Sequence, residues 1–98
     1  MSRNPEYQLV LFISGASPNS VRALNNLKQI CETHLKGNYN LEVVDVYQQP
    51  ELAKREQIIA LPTLIRRSPA PARRLIGDMS DLVRVLRGLG IEPSGQSI

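Results

Sequence analysis

In the first half of the chain, the spacing of apolar and polar positions is first that of a buried strand and then that of an amphipathic helix. Tyr7–Ile13 is an apolar run with β-branched members, which is typical of a strand buried on both faces. Ser17 and Pro18 then supply an N-cap hydroxyl and a proline suited to the first helical position. Apolar residues follow at spacings of three and four, which predicts a long amphipathic helix. These residues are Val21, Leu24, Leu27, Cys31 and Leu35.

A second strand follows this helix. Gly37 and Asn38 accept the positive φ that commonly ends a helix, and residues 41–47 are again largely apolar. Because strand–helix–strand crossovers are right-handed and join parallel strands, we expect the two strands to pair in parallel.

The second half predicts a shorter helix, two strands and a last helix. The shorter helix opens at Pro50 and extends through Glu56 towards Ile59. Residues 61–67 and Arg73–Ile76 are expected to be strands joined by a turn over 68–72, and Ser80 is expected to cap a helix over 81–89. The element order is βαβαββα in one α/β domain over 1–98, with flexible ends over 1–6 and 92–98.

This order resembles the thioredoxin fold, with Leu61-Pro62-Thr63 facing the start of the first helix. The resemblance implies that the peptide before Pro62 is cis. In thioredoxin-like oxidoreductases the first helix opens with Cys-x-x-Cys, whereas Ser17-Pro18-Asn19-Ser20 stands here. Hydroxyls form no disulfide, and they are poor nucleophiles without a neighbouring base. We therefore expect a binding module and not an enzyme.

The composition limits the kinds of disulfide and metal site that the chain can form. An apolar content of 42% and a charged content of 21% are ordinary for a globular protein. With one cysteine and one histidine, Cys31 and His34, the chain has neither a disulfide framework nor a multi-histidine metal cluster. Cys31 lies on the apolar stripe and is expected to be a core residue. No cofactor or metal is expected.

Neither a membrane-spanning segment nor an export signal is expected from the sequence. No run approaches the roughly 20 apolar residues that span a bilayer, and the first residues lack the apolar core of a signal peptide. We therefore expect a cytoplasmic location without membrane contact.

The net charge of +3 is unevenly distributed. Six cations lie after residue 65 with no lysine among them: Arg66, Arg67, Arg73, Arg74, Arg84 and Arg87. Guanidinium groups suit carboxylate or phosphate, so an acidic protein partner, nucleic acid and a plain solvated face are the three interpretations. All four aromatic residues lie in the other half, which disfavours nucleic acid because the stacking platforms are missing.

Several segments together resemble the KaiB family, partner proteins of the circadian-clock ATPase KaiC. The likeness covers about residues 7–90 and is carried by residues 14–24, 36–37, 43–46, 61–64 and 73–80. It implies a non-enzymatic role, docking on a KaiC-type ATPase ring and modulating its phosphorylation cycle. It also implies two folds, a tetrameric ground state and a monomeric thioredoxin-like state that binds KaiC, so self-association as a dimer or tetramer is expected.

Residues 81–87 fit both a helical and a strand period, as a segment with two folds requires. A short apolar run is often ambiguous in this way without any functional meaning. Gly88 and Gly90 each cost a helix about 1 kcal/mol relative to alanine, so neither state is strongly favoured. By position, Gly88 matches a family glycine that biases the two folds. Gly90 stands where clock-type members carry aspartate, a loss of charge expected to favour the thioredoxin-like state.

By position in the family, the partner surface is expected to include Arg22, Asn40, Glu42 and Arg74. Clock-type members carry a lysine where this chain has Glu42. This reversal implies a divergent or non-cyanobacterial-type member that acts in a clock, a simpler timer or a stress response. The alternative is a thioredoxin-like interaction domain for a histidine kinase or a stress-response partner, without redox activity.

Overall fold

The computed structural model describes residues 4–92, which contain four strands and three helices built around one mixed sheet. The elements are β1 Tyr7–Ile13, α1 Pro18–His34, β2 Tyr39–Asp45, α2 Pro50–Arg55, β3 Thr63–Ser68, β4 Arg73–Ile76 and α3 Leu82–Leu89. The sheet order is β2-β1-β3-β4. β1 and β2 are parallel, as predicted, while β3 runs antiparallel to both β1 and β4. This is the predicted βαβαββα order.

The predicted flexible ends lie largely outside the described residues. Residues 1–3 and 93–98 are not described. Both backbone groups of Glu6 form hydrogen bonds. Its backbone N–H donates to Asn38 Oδ1 at 2.8 Å, and its carbonyl accepts from Ser68 Oγ at 2.8 Å.

The sheet buries two apolar clusters, one on each face. Strand alternation places Leu9 and Leu11 of β1 against α1 and α3, where Leu27 and Leu86 are also buried. On the opposite face Val10, Phe12, Val44 and Ile65 form a smaller cluster, which is packed by Leu52 of the short α2. One face of the sheet is thus covered by two helices and the other by only six helical residues.

The buried face of α1 differs from the predicted stripe at its start. Val21 is 45% exposed, whereas Ser20 and Ala23 are buried. Successive residues of a helix are about 100° apart around its axis, so the neighbour of a buried residue can lie at the exposed margin of the buried face. Val21 lies at this margin, next to the buried Ser20. Leu27, Cys31 and Leu35 are buried as predicted.

The short second helix ends earlier than the sequence predicts. It stops at Arg55, and Gln57 adopts a left-handed φ of 57° that ends the helical path. Ile58 packs on the smaller cluster, whereas Ile59, predicted at the helix end, is 92% exposed. β3 also starts two residues later than predicted, at Thr63.

α3 begins with a different cap from the predicted one. The carboxylate of Asp81, and not the hydroxyl of Ser80, accepts from the backbone N–H of Arg84 at 3.2 Å. At the other end Gly90 is the left-handed cap, with φ of 81°. Gly90 therefore lies where glycine favours a helix end and not in the helix interior, which corrects the predicted cost at this residue.

Gly88 lies inside α3 and is required by close packing against β4. A Cβ atom at this position would lie 2.5 Å from Cδ1 and 2.8 Å from Cγ of Leu75. The glycine thus lets α3 approach the edge strand closely, although it weakens the helix itself.

We expect Gly88→Leu to lower the free energy of unfolding of this fold by about 1–3 kcal/mol, because the new side chain overlaps Leu75. Urea unfolding monitored by circular dichroism measures the change. The double variant Gly88→Leu with Leu75→Ala should recover part of the loss, since it removes the overlapping atoms. An unchanged midpoint in the single variant would contradict the α3–β4 packing.

Candidate functional site

Three serine hydroxyls form a cluster at the entrance of α1, where a thioredoxin carries its dithiol. Ser17 Oγ donates to Ser20 Oγ at 2.9 Å, and Ser14 Oγ lies 3.1 Å from Ser17 Oγ. The backbone N–H of Ser14 donates to Ser20 Oγ at 3.0 Å, and Ser20 is fully buried. The three hydroxyls therefore form hydrogen bonds with one another, and the Ser17 hydroxyl also caps α1. Ser14 was missed by the sequence analysis, although its position directly after β1 was a signal for it.

The loop around this entrance is held by Asp45, and Pro62 precedes β3. The Asp45 carboxylate, at the end of β2, accepts from the backbone N–H of Gly15 at 3.1 Å and of Tyr47 at 3.0 Å. The peptide before Pro62 is cis, and the Pro62 carbonyl accepts from the Gly77 N–H at 3.0 Å. The arrangement is that of a thioredoxin entrance in which hydroxyls replace sulfur.

The single thiol of the chain lies away from this entrance. Cys31 is buried in the α1 core, and burial, followed by the nearby Glu32 carboxylate, raises its pKa to about 12. A thiol in this state is a poor nucleophile, because the thiolate is the reactive form. Among residues 4–92 no group of three or more His, Cys, Asp or Glu side chains is placed to hold a metal ion.

Two of the four predicted partner residues lie at opposite ends of one row across the sheet. The strand register aligns Glu42 with Val10, Val10 with Ile65, and Ile65 with Arg74. With strands about 4.8 Å apart, Glu42 and Arg74 are about 14 Å apart on the α2 face. Asn40 lies on the same face and donates to Gln8 Oε1 at 3.2 Å.

Arg22 lies elsewhere, on the exposed side of α1. Its Nε atom is 3.4 Å from the carboxylate of Asp78, and its guanidinium also donates to the Asn19 side chain. Hydrogen bonds from Ser80, and then the Arg22 guanidinium, hold the pKa of Asp78 below its usual range. The structure therefore brings Asn40, Glu42 and Arg74 to one face but leaves Arg22 on the other.

Arg74 is tied to the end of α2. Its guanidinium donates to the backbone carbonyls of Glu56 and Gln57, the second at 3.2 Å. These contacts place a cation at the carboxyl end of a helix, which is electrostatically favourable. Neither the Arg22–Asp78 pair nor this contact could be found from sequence, because each joins residues far apart in the chain.

An open groove of about 580 Å³ runs between α1 and the free edge of β2. It is lined by Lys28, Glu32, Gly37, Tyr39, Asn40, Leu41 and Val43. The Tyr39 hydroxyl donates to Glu32 at 2.7 Å, and this hydrogen bond, with burial, raises the pKa of Tyr39 to about 12. The groove gives the β2 edge both charged and apolar walls beside Asn40.

The sequence was compared with those of known protein families. The sequence profile of the KaiB domain matches residues 10–91. The chain belongs to the KaiB family. It is 50% identical over 91 residues to the circadian clock oscillator protein KaiB of Prochlorococcus marinus, covering 93% of this chain and 84% of that one. The corresponding protein of a Picosynechococcus species is 52% identical over 85 residues, covering 87% and 82%.

Solved structures confirm the thioredoxin-like fold. The N-terminal domain of Synechococcus elongatus SasA superposes with a TM-score of 0.71 at 20% identity, covering 100% of this KaiB chain and 93% of that domain. Chloroplastic thioredoxin z gives a TM-score of 0.71 at 20% identity, covering 90% and 80%. In the described part of this KaiB chain, no helix has the length and apolar character needed to cross a bilayer.

Proposed function

We propose that this KaiB chain regulates a KaiC-type ATPase by docking on it and modulating its phosphorylation and ATPase cycle. Membership of the KaiB family, with about half of the residues identical to circadian clock oscillator proteins, carries the proposal. The role is regulation without chemistry of its own.

The helix entrance supports a role without catalysis. Ser17 and Ser20 bond to each other and to the helix cap, and His34, the only imidazole, lies at the far end of α1. A serine needs a neighbouring base to act as a nucleophile, and the α1 entrance offers none among the described residues. The fold therefore retains the shape of a redox scaffold without its reactive groups.

We assign the partner surface to Arg22, Asn40, Glu42 and Arg74, with Asn40 and Glu42 at the β2 edge as its centre. The groove beside β2, which Asn40 lines, supplies contact area at this edge. Because Arg22 lies on the opposite face from Glu42, a partner that contacts all four residues has to reach around the sheet. The acidic side chain at position 42 calls for a basic residue in the partner.

Two departures support the proposal that this chain is a divergent member, acting in a clock, a timer or a stress response. On β2, Glu42 carries a negative charge where clock-type members carry a lysine. Gly90 caps α3 with φ of 81°, a geometry that glycine adopts without strain. Pro62, Gly88 and Gly90 would then hold the thioredoxin-like state against the second fold.

Binding to a purified KaiC-type ring in ATP, measured by biolayer interferometry, tests this surface. We expect Arg22→Ala to weaken binding about tenfold, because a charged contact is lost. Glu42→Lys should strengthen binding, about tenfold, to a ring whose own KaiB carries lysine there. Lys36→Ala, an equal charge change in the turn after α1, is the control. Equal affinities for all four chains would place the surface elsewhere.

The second candidate is an interaction domain for a histidine kinase or a stress-response partner. The likeness in fold to the SasA N-terminal domain favours it. Affinity capture on the wild-type chain with ATP separates the two candidates. Recovery of a KaiC-type ATPase supports the first candidate, and recovery of a histidine kinase without such an ATPase supports the second.

A further inference from the structure

The free edge of β4 carries a concentration of arginine, most of it without a carboxylate partner among the described residues, and Arg74 is the one member that the proposed docking surface also uses. Seven cations lie on β4 or on the neighbouring β3, α2 and α3: Lys54, Arg55, Arg67, Arg73, Arg74, Arg84 and Arg87. Within residues 4–92 only Arg67 among them has a carboxylate partner, Glu56, at 3.3 Å. Asp81 also lies nearby, but its carboxylate is engaged as the cap of α3.

The backbone of this edge is available for pairing. β4 is the last strand of the sheet, and the bond from the Gly77 N–H to the Pro62 carbonyl fixes which residues face β3. In the alternating antiparallel pattern, Leu75 and Arg73 then bond to β3, while Arg74 and Ile76 turn their N–H and C=O groups outward. Arg84 Nη1 donates to the outward carbonyl of Ile76 at 2.9 Å, which leaves the outward groups of Arg74 without a β-strand partner.

The two faces beside the edge differ in character. Strand alternation places Arg73 on the α3 side, where Arg84 and Arg87 extend the positive charge. Ile76 lies on the α2 side and is 45% exposed. A strand that carries acidic side chains on one face and apolar side chains on the other would match both sides.

A second copy of this chain is a poor occupant of the same edge. Pairing two β4 strands would bring Arg73 and Arg74 of both copies together, and like charges on neighbouring strands are unfavourable. Nucleic acid would match the charge but has no peptide groups that could pair as a strand. The observations therefore favour a protein segment.

We propose that an acidic, extended peptide segment of a partner protein adds to the sheet as a fifth strand along β4, with its carboxylates towards Arg73 and Arg87 and apolar side chains beside Ile76. This surface goes beyond the proposed docking on an ATPase ring and does not depend on it. Its test needs no ATPase.

The probe is a fluorescein-labelled seven-residue peptide of alternating glutamate and valine, titrated with the full chain and followed by fluorescence anisotropy. We expect binding that weakens as salt is added, since the contacts are between exposed charges. Amide signals of Arg74 and Ile76 should shift in the ¹⁵N spectrum of the complex. Arg73→Gln with Arg87→Gln should weaken binding at least tenfold. Neither side chain forms a hydrogen bond or ion pair within residues 4–92, so the fold should be retained.

Two controls decide between pairing and mere charge attraction. Lys28→Gln with Lys36→Gln removes the same charge near β2 and should leave the affinity within twofold. The same peptide with alternate backbone nitrogens methylated keeps its charge but cannot pair as a strand, and it should bind at least tenfold more weakly. Equal loss in both double variants, equal binding of the methylated peptide, or stronger binding of a DNA duplex to the same residues overturns the proposal.

Discussion

The double variant Ser17→Cys with Ser20→Cys is expected to acquire the dithiol chemistry that the natural chain lacks. The two hydroxyl oxygens are already 2.9 Å apart, within reach of a disulfide after a small adjustment. In a glutathione buffer the two new thiols should lose two protons and two electrons to glutathione disulfide, which becomes two molecules of glutathione. One internal disulfide results.

The position at the helix N-terminus should also make the new thiols reactive. In Cys-x-x-Cys motifs at helix N-termini the first, accessible thiol has a pKa lowered to about 3.5–7.5, so the thiol introduced at Ser17 would be largely thiolate at pH 8 and would be the attacking group. We expect the double variant to reduce insulin disulfides with dithiothreitol, while the wild type stays at the uncatalysed rate. Turbidity of the precipitating insulin chains is the measurement.

A matched control keeps the spacing and changes the place. Asn25→Cys with Lys28→Cys sets two thiols three residues apart in the middle of α1, away from the helix terminus. It should be as slow as the wild type in the insulin assay. If both double variants are equally active, or if the two thiols introduced at the helix entrance stay reduced in oxidising buffer, the α1 entrance is not built as described.

The natural thiol is expected to be almost inert in the native chain. With a pKa of about 12, about one Cys31 thiol in ten thousand is ionised at pH 8. Labelling by Ellman's reagent should therefore be about a thousandfold slower in buffer than in 6 M guanidinium, where an ordinary thiol pKa returns. The guanidinium sample is the control for total thiol. Rapid stoichiometric labelling of the folded chain would mean that Cys31 is exposed and would reopen a redox role.

Local rules were sufficient for the regular elements of this fold. The apolar run of β1 predicted its burial, and Ser17 with Pro18 located the start of α1, because caps and strand patterns are properties of neighbouring residues. The same rules were wrong where tertiary packing decides. Val21 is exposed because α1 packs on the sheet through the side that carries Ser20. α2 ends early because Gln57 adopts a left-handed backbone conformation.

The candidate site was predictable only in part, because its geometry depends on strand register. The family likeness indicated Glu42 and Arg74 separately. That they lie at the two ends of one row through Val10 and Ile65 follows from the register of all four strands. The pairing of Arg22 with Asp78 likewise joins α1 to a loop 56 residues later, which no local pattern encodes.

The most direct test of the proposed regulatory role is the mass of the complex with a KaiC-type ring. Static light scattering with size-exclusion chromatography gives the mass of the free chain, of the ring in ATP, and of their mixture. We expect the mixture to be heavier than the ring by whole copies of this chain, and ATP turnover by the ring to change on binding. A ring of unchanged mass and turnover, with the chain eluting alone, would contradict it.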